Sequence, residues 1–272
     1  MRVDFWGCRG SIASAGPQTV RYGGNTASVQ VTGDDGTILF LDAGTGIRAP
    51  SAMLRGAGRV DVLLTHLHLD HIQGLGFFRP LFEEGTEVHV WGPPSTTQDL
   101  RARLTRYLSP PLFPVRIKEL PSRVVFHDAP RRWDIGAFRV TSAGILHPDP
   151  TLGYRVSEGT RSLAYLSDHE PALGGSSDTR WTSGFELANG VDLLIHDGQY
   201  TDVEYAARVG WGHSSVTQAV DFARRVAAKR LALFHHDPNH DDALVDELVR
   251  EAQALSGGVD VFAAQEGSAV EV

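Results

Sequence analysis

Val60-Asp61-Val62-Leu63-Leu64-Thr65-His66-Leu67-His68-Leu69-Asp70-His71 passes from a β-rich apolar run to a polar cluster without a break. Three imidazoles and a carboxylate within six residues, His66 to His71, form a dense set of nitrogen and oxygen ligands for a borderline cation such as zinc. In a strand-to-helix turn, His66 and His68 can point to one side while Asp70 and His71 face the other. One short segment can therefore feed two metal positions. Outward from it, other apolar runs end on the same kind of chemistry. His147 closes Ala143-Gly144-Ile145-Leu146-His147, Asp168 closes Leu163-Ala164-Tyr165-Leu166-Ser167-Asp168, and His235 closes Leu231-Ala232-Leu233-Phe234-His235. Asp42 and Asp197 follow apolar runs in the same way. Polar residues at strand ends, held on a rigid sheet, are where α/β active sites are usually built.

The remaining pattern is one of short strands between recurrent turn signals. Strands are expected at Arg2–Trp6, Ser28–Thr32, Thr37–Leu41, Asp61–Leu64, Glu87–Trp91, Phe138–Ser142, Leu152–Val156, Ser162–Leu166, Leu193–His196 and Leu231–Phe234. Amphipathic spacing predicts helices over Thr96–Leu108, Ser215–Ala228 and Asp241–Leu255, the last two opened by a Ser and an Asp suited to capping. The Pro-rich stretch Ser109–Pro121 reads as a surface loop. With no repeat, low-complexity tract or linker, residues 1–272 read as one domain.

Composition narrows the function classes. The 272 residues are 42% hydrophobic and 21% charged, as in an ordinary globular protein. Lys+Arg number 25 against 33 Asp+Glu, a formal charge of -8 that argues against holding nucleic acid by a basic surface. Cys8 is the only cysteine, which excludes an intrachain disulfide and a Cys-rich zinc site, and it reads as an inert apolar residue. MRVDFWGCRGS lacks the apolar core of a signal peptide and no run reaches membrane-spanning length, so a cytoplasmic protein that avoids membranes is expected.

HLHLDH, followed by His147, Asp168 and His235, resembles the metallo-β-lactamase superfamily, whose hallmark is HxHxDH plus a later His, Asp and His. The resemblance runs from Leu41-Asp42-Ala43-Gly44 to His235. It implies an α/β fold, an αββα sandwich of two mixed β-sheets flanked by helices with the metals at one edge. It implies a dinuclear site of two divalent ions, zinc first and manganese as the alternative. His66, His68 and His147 would bind one ion and Asp70, His71 and His235 the other, with Asp168 bridging and Asp42 supporting the ligands. His236 competes with His235, and the strand register favours His235.

Within the superfamily, the aspartate at 168 is typical of two-metal hydrolases. Gly212-His213-Ser214-Ser215 is similar to a motif of the tRNase Z and phosphonate-pathway cyclic phosphodiesterase families, whose His donates a proton near the metals. Leu194-Ile195-His196-Asp197 resembles their HE motif, with Asp for Glu. Asp70 and His213 are thus the catalytic candidates. Only 20 residues separate His147 from Asp168, too few for a tRNA-clamping arm. The expected substrate is a small phosphodiester such as a cyclic nucleotide or cyclic phosphate, with no long nucleic acid as partner. A homodimer is left open. An RNA 3′-processing nuclease, a thioester or lactone hydrolase and a metal-binding sensor are the alternatives. Phe5-Trp6-Gly7-Cys8-Arg9-Gly10-Ser11 and Tyr22-Gly23-Gly24-Asn25-Thr26 are similar to the opening of a bacterial subgroup of such hydrolases. Arg9 or Asn25 would touch a phosphate oxygen, or their loops would only shape the sheet edge. His169 is a candidate substrate contact, whereas His89 and His127 lack partners and His240 reads as a surface residue.

Overall fold

Alternation in β1 (Arg2–Gly7) buries Val3, Phe5 and Gly7 on one face, and the strand pairs antiparallel with β2 (Ser28–Thr32). The structure is a computed structural model that describes residues 1–174 and 182–272. β2 pairs antiparallel with β3 (Ile38–Leu41), from which β4 (Arg59–Leu63), β5 (Glu87–Gly92) and β6 (Arg123–Asp128) follow in parallel. With β14 (Ala269–Glu271) beside β1, these strands make a sheet ordered β14-β1-β2-β3-β4-β5-β6. The second sheet begins as an antiparallel meander of β7 (Arg132–Ile135), β8 (Phe138–Ile145), β9 (Thr151–Glu158) and β10 (Arg161–Leu166). It ends in parallel with β11 (Leu193–Asp197), β12 (Arg230–Phe234) and β13 (Asp260–Ala263).

The two sheets share one apolar layer in which Val3, Phe5, Val29 and Leu41 of the first meet Val140, Tyr165, Ile195 and Phe234 of the second. The parallel strands are apolar on both faces because each also covers an outer layer. On the second sheet that layer is α5 (Val216–Arg225) and α6 (Asp242–Leu255), whose Val220, Phe222 and Leu248 lie over Leu194, Leu231 and Leu233. On the first sheet Phe40 and Val62 pack against Ile72, Leu75 and Phe78. Between those elements, α1 (Leu69–Ile72), α2 (Leu100–Thr105), α3 (Phe185–Ala188) and α4 (Asp202–Ala206) are short. Among the described residues no helix is long and apolar enough to cross a membrane.

The αββα sandwich expected from the sequence is the observed fold, and all ten expected strands are present. Two expectations need correction. The helix expected at Thr96–Leu108 contracts to Leu100–Thr105, because the Asp99 carboxylate accepts the Ala102 N–H at 2.7 Å and starts the helix there. The Ser109–Pro121 loop is not purely superficial, since Phe113 and Ile117 are buried in the outer layer of the first sheet.

Candidate metal centre

Six strands deliver polar residues to one edge of the sandwich. Asp42 follows β3, His66 follows β4, His147 follows β8, Asp168 follows β10, Asp197 ends β11 and His235 follows β12. Three of the four non-glycine residues with positive φ among those described lie here: Ser11 at 60°, Asp42 at 60° and His235 at 62°. Each such conformation costs roughly 1–3 kcal/mol and persists only where the surroundings over-determine it. His68 is still extended (φ -64°, ψ 151°) and caps α1, so Asp70 and His71 fall in the first helical turn. The histidine segment therefore splits into two directions, as its spacing predicts.

Groups of ligating atoms within 4.8 Å of one another are formed by His66, His68 and His147, by His66, His71 and Asp168, and by Asp70, His71 and His235. All seven residues expected as ligands are thus brought together. His71 Nε2 lies 3.1 Å from Asp168 Oδ1 and 3.3 Å from Asp70 Oδ2. His235 Nε2 lies 3.2 Å from Asp70 Oδ2 and 3.5 Å from Asp168 Oδ1, while His66 Nε2 lies 3.8 Å from Asp168 Oδ2.

The surrounding hydrogen bonds fix which nitrogen each ring presents. Thr65 Oγ1 donates to the Asp42 carboxylate at 2.9 Å, so it accepts from His66 Nδ1 at 3.0 Å. His71 Nδ1 donates to Asp42 Oδ2 at 2.8 Å, His147 Nδ1 to the Gly212 carbonyl at 3.1 Å and His235 Nδ1 to Gln199 Oε1 at 3.0 Å. Each of these rings turns Nε2 toward the centre. His68 is reversed, since its Nε2 donates to Asp149 Oδ2 at 2.8 Å and leaves Nδ1 inward. Partners of this kind orient metal ligands and raise their basicity.

Whether cations fit can be judged from what is left over. His66 Nε2, His71 Nε2, His147 Nε2 and Asp168 Oδ1 are buried without a hydrogen-bond partner. Neutral imidazole lone pairs and carboxylate oxygens that face one another at these distances repel unless positive charge sits between them. The titration shifts report the same demand. Burial opposes charge on both His71 and Asp168. Asp168, Asp70 and Asp42 nevertheless hold His71 well above the ordinary imidazole value, and His235, His71 and His66 hold Asp168 well below the carboxylate range. Two or more imidazoles with shared carboxylates suit divalent metal ions.

His213 stands beside this set. Its Nδ1 donates to Asp197 Oδ2 at 2.7 Å, and its ring stacks on His235 with centroids 5.0 Å apart. Burial lowers its pKa, but Asp197 outweighs burial and the value rises to about 9. His213 also falls within two groups of ligating atoms, with His147 and Asp168 and with Asp197 and His235.

Other histidines and loop residues divide differently from expectation. His236 points away from the cluster and donates Nε2–H to the Ala264 carbonyl at 3.0 Å, which leaves His235 facing it. Arg9 does not reach the centre: it is fully buried and donates to the carbonyls of Gly23, Asp237 and His240. Asn25 is held by Glu266. Both loops shape the sheet edge. His169 is buried and bonded to His196 and Ser183, so it is not a substrate contact. His240 is not at the surface but packs beneath Glu204, and His89 and His127 do have partners, each other, at 2.9 Å. Sequence reasoning missed Ser11, whose N–H donates to Asp70 Oδ2 at 2.7 Å, as well as Gln199 and Asp149. Only Asp149 left a signal, as an acid two residues beyond His147 in the same turn.

The family model of the beta-lactamase superfamily domain matches residues 37–236. The chain belongs to this superfamily. Ribonuclease Z of Myxococcus xanthus is 28% identical over 280 aligned positions, covering 86% of this chain and 88% of that protein. Ribonuclease Z of Haloarcula marismortui is 27% identical over 313 positions, covering 98% and 95%. Among solved structures, the short form of human tRNase Z superposes with a TM-score of 0.69 at 23% identity, covering 100% and 99%. A diphosphatase of the PhnP family superposes with a TM-score of 0.70 at 20% identity, covering 100% and 98%. This member of the superfamily is a metal-dependent hydrolase of the phosphodiesterase branch.

Asp42 offers a test of how the superfamily centre is supported. Its buried carboxylate accepts from the Thr65 N–H at 2.7 Å, the Thr65 hydroxyl, His71 Nδ1 and the Tyr165 hydroxyl at 3.0 Å. Asn tolerates the left-handed backbone as Asp does, so Asp42→Asn removes acceptors without adding strain. Metal affinity is expected to fall about 10–100-fold in a competitive chelator titration. An affinity within twofold of the parent would refute the supporting role.

Proposed function

We propose that the chain is a dinuclear phosphodiesterase acting on a small phosphodiester, a cyclic nucleotide or cyclic phosphate, with His213 as proton donor. The carrying observation is the placement of His213: Asp197 takes its Nδ1–H at 2.7 Å beside the ligand cluster, leaving Nε2 to carry a transferable proton. His66, His68 and His147 would hold one ion, Asp70, His71 and His235 the other, and Asp168 would face both. Zinc suits this donor set first and manganese second. When bound, such a pair supplies an acidified water as nucleophile and neutralises charge on a non-bridging phosphate oxygen. Asp197 stabilises the His213 imidazolium, which passes its Nε2 proton to the leaving oxygen. Asp70 offers a carboxylate oxygen for the proton of the attacking water. The single, fully buried Cys8 suits a reducing cytoplasm.

Small substrate size is supported by what lies between His147 and Asp168. Those residues are β9, β10 and the short turn joining Glu158 to Arg161, with only Pro148, Asp149, Pro150 and Ser167 besides. An alignment of 313 positions with a chain of 272 residues leaves at least 41 positions where the Haloarcula ribonuclease Z has residues and this chain has none. RNA 3′ processing is the second reading, favoured by the ribonuclease Z relatives.

A substrate panel with the zinc- and manganese-loaded enzyme separates the two. Cyclic nucleotides and cyclic phosphates are expected to exceed precursor tRNA in kcat/KM by about 100-fold or more, in keeping with a net charge of -8 that disfavours RNA. Efficient, correctly placed removal of a tRNA 3′ trailer would establish the second reading instead. Turnover of a thioester but of no phosphodiester would refute both.

A further inference from the structure

Within the segment that leads to His213, the Trp211 N–H donates to the Arg208 carbonyl at 3.0 Å. Gly210 and Gly212 both adopt φ 89°, and between them Trp211 is 60% exposed. Two glycines in three residues permit this backbone but enlarge the entropy lost in fixing it. Both glycine N–H groups are held by a buried carboxylate two residues beyond Asp168. Glu170 Oε1 accepts the Gly210 N–H at 2.8 Å and the Tyr205 hydroxyl at 3.0 Å, and Oε2 accepts the Gly212 N–H at 2.7 Å. Glu170 is itself anchored, since its N–H donates to the carbonyl of Leu146, the residue before His147.

The Gly212 peptide is thereby gripped from both sides. Its N–H is held by Glu170, and its carbonyl accepts from His147 Nδ1 at 3.1 Å. No side chain fits there, because a Cβ on Gly212 would lie 2.1 Å from His147 Nδ1. Beyond it, Asp197 takes the His213 ring and the Ser214 N–H at 3.0 Å. Asp197 thus orients the imidazole, while Glu170 sets where the backbone carrying it runs.

We infer that Glu170 is a positioning residue for the proton donor, acting by clamping the Gly210–Gly212 turn. This rests on the reading of His213 as the donor. A carboxylate offers acceptors only, as three converging donors require, whereas an amide of the same shape turns a donor toward one of them. Glu170→Gln should therefore displace the turn without emptying the interior.

The test compares an alkyl diester, whose alkoxide leaves poorly, with bis(p-nitrophenyl) phosphate, whose leaving group needs no proton. Glu170→Gln in the metal-loaded enzyme is expected to lower kcat on the alkyl diester about tenfold or more, with KM little changed, since a small misplacement of a reacting group is that costly. The loss on the nitrophenyl ester should be far smaller, and the ion content should match that of the parent. Added to His213→Ala, the substitution should cost nothing further on the alkyl diester, as expected for residues acting through one group. Equal losses on both substrates, additivity with His213→Ala, or loss of an ion would overturn the inference. If Glu170→Gln fails to fold, Tyr205→Phe removes one of the three donors and should give a smaller loss with the same substrate preference; a uniform loss there overturns it equally. Should His213→Ala itself show no preference between the esters, the donor reading fails. Should it show one that Glu170→Gln lacks, only the role of Glu170 falls.

Discussion

Asp168→Ala is expected to leave the enzyme with at most one weakly held ion per chain and to lower turnover by about 1000-fold or more, the equivalent of several kcal/mol of lost charge stabilisation. The reasoning is geometric. Asp168 Oδ1 faces His71 Nε2 and His235 Nε2 at 3.1 and 3.5 Å, and Oδ2 faces His66 Nε2 at 3.8 Å, so one carboxylate addresses both candidate positions. Alanine withdraws its negative charge from both at once. His147→Ala, by contrast, should loosen only the ion shared with His66 and His68. Elemental analysis of the saturated, desalted proteins reads the outcome. Two ions per parent chain, one for His147→Ala and one or none for Asp168→Ala is the expected series. Two tightly bound ions in Asp168→Ala, or a parent that never exceeds one, would sink the dinuclear arrangement. Chelation of the parent should also lower its melting temperature, because the buried lone pairs and carboxylates then face one another without the cations that bind only the folded state.

The candidate ligands were legible in the sequence because HLHLDH with the later His147, Asp168 and His235 resembles the superfamily's hallmark, and because His147, Asp168 and His235 also stand where an apolar run stops. Periodicity marks the end of β4, β10 and β12, and a histidine or aspartate directly after such a run is conspicuous. What surrounds the ligands was not legible. Gln199 and Ser11 reach the centre from loops whose course depends on tertiary contacts, and neither residue type at those positions carries a signal. Arg9 misled for the opposite reason. A lone arginine in a Gly-rich loop suggests phosphate, but here it is buried and donates to the carbonyls of Gly23, Asp237 and His240.

The strands show the same division. Arg123–Asp128, Arg132–Ile135, Asp260–Ala263 and Ala269–Glu271 were not expected from the sequence, and they are the four outer edges of the two sheets. An edge strand is half exposed and blunted by charge, so its alternation is weak. In Arg123–Asp128 none of the six residues is fully buried. Central strands such as Leu193–Asp197, buried throughout, announce themselves. The metal centre is built almost wholly on central strands, which is why the site could be read more completely than the sheets that carry it.

His213→Ala is expected to slow hydrolysis of an alkyl phosphodiester by about 100-fold or more, the usual worth of a general acid, while slowing bis(p-nitrophenyl) phosphate far less. A nitrophenolate departs without a proton, whereas a ribose alkoxide needs one. The geometry assigns the proton to Nε2, because Nδ1 is committed to Asp197 at 2.7 Å. The same geometry leaves a competing possibility, since His213 also shares a group of ligating atoms with His147 and Asp168, its Nδ1 lying 3.9 Å from Asp168 Oδ2. A ligand and a proton donor differ in what their removal takes away. Loss of an ion with equal loss on both esters would make His213 a ligand. Retained ions with equal losses would make it a residue that merely seats the substrate. Retained ions with the loss confined to the poor leaving group is the result expected of the proton donor. Asp197→Asn should then reproduce that selectivity, because an amide whose oxygen is taken by the Gln199 and Ser214 N–H groups turns an NH2 toward the ring and no longer stabilises its charge.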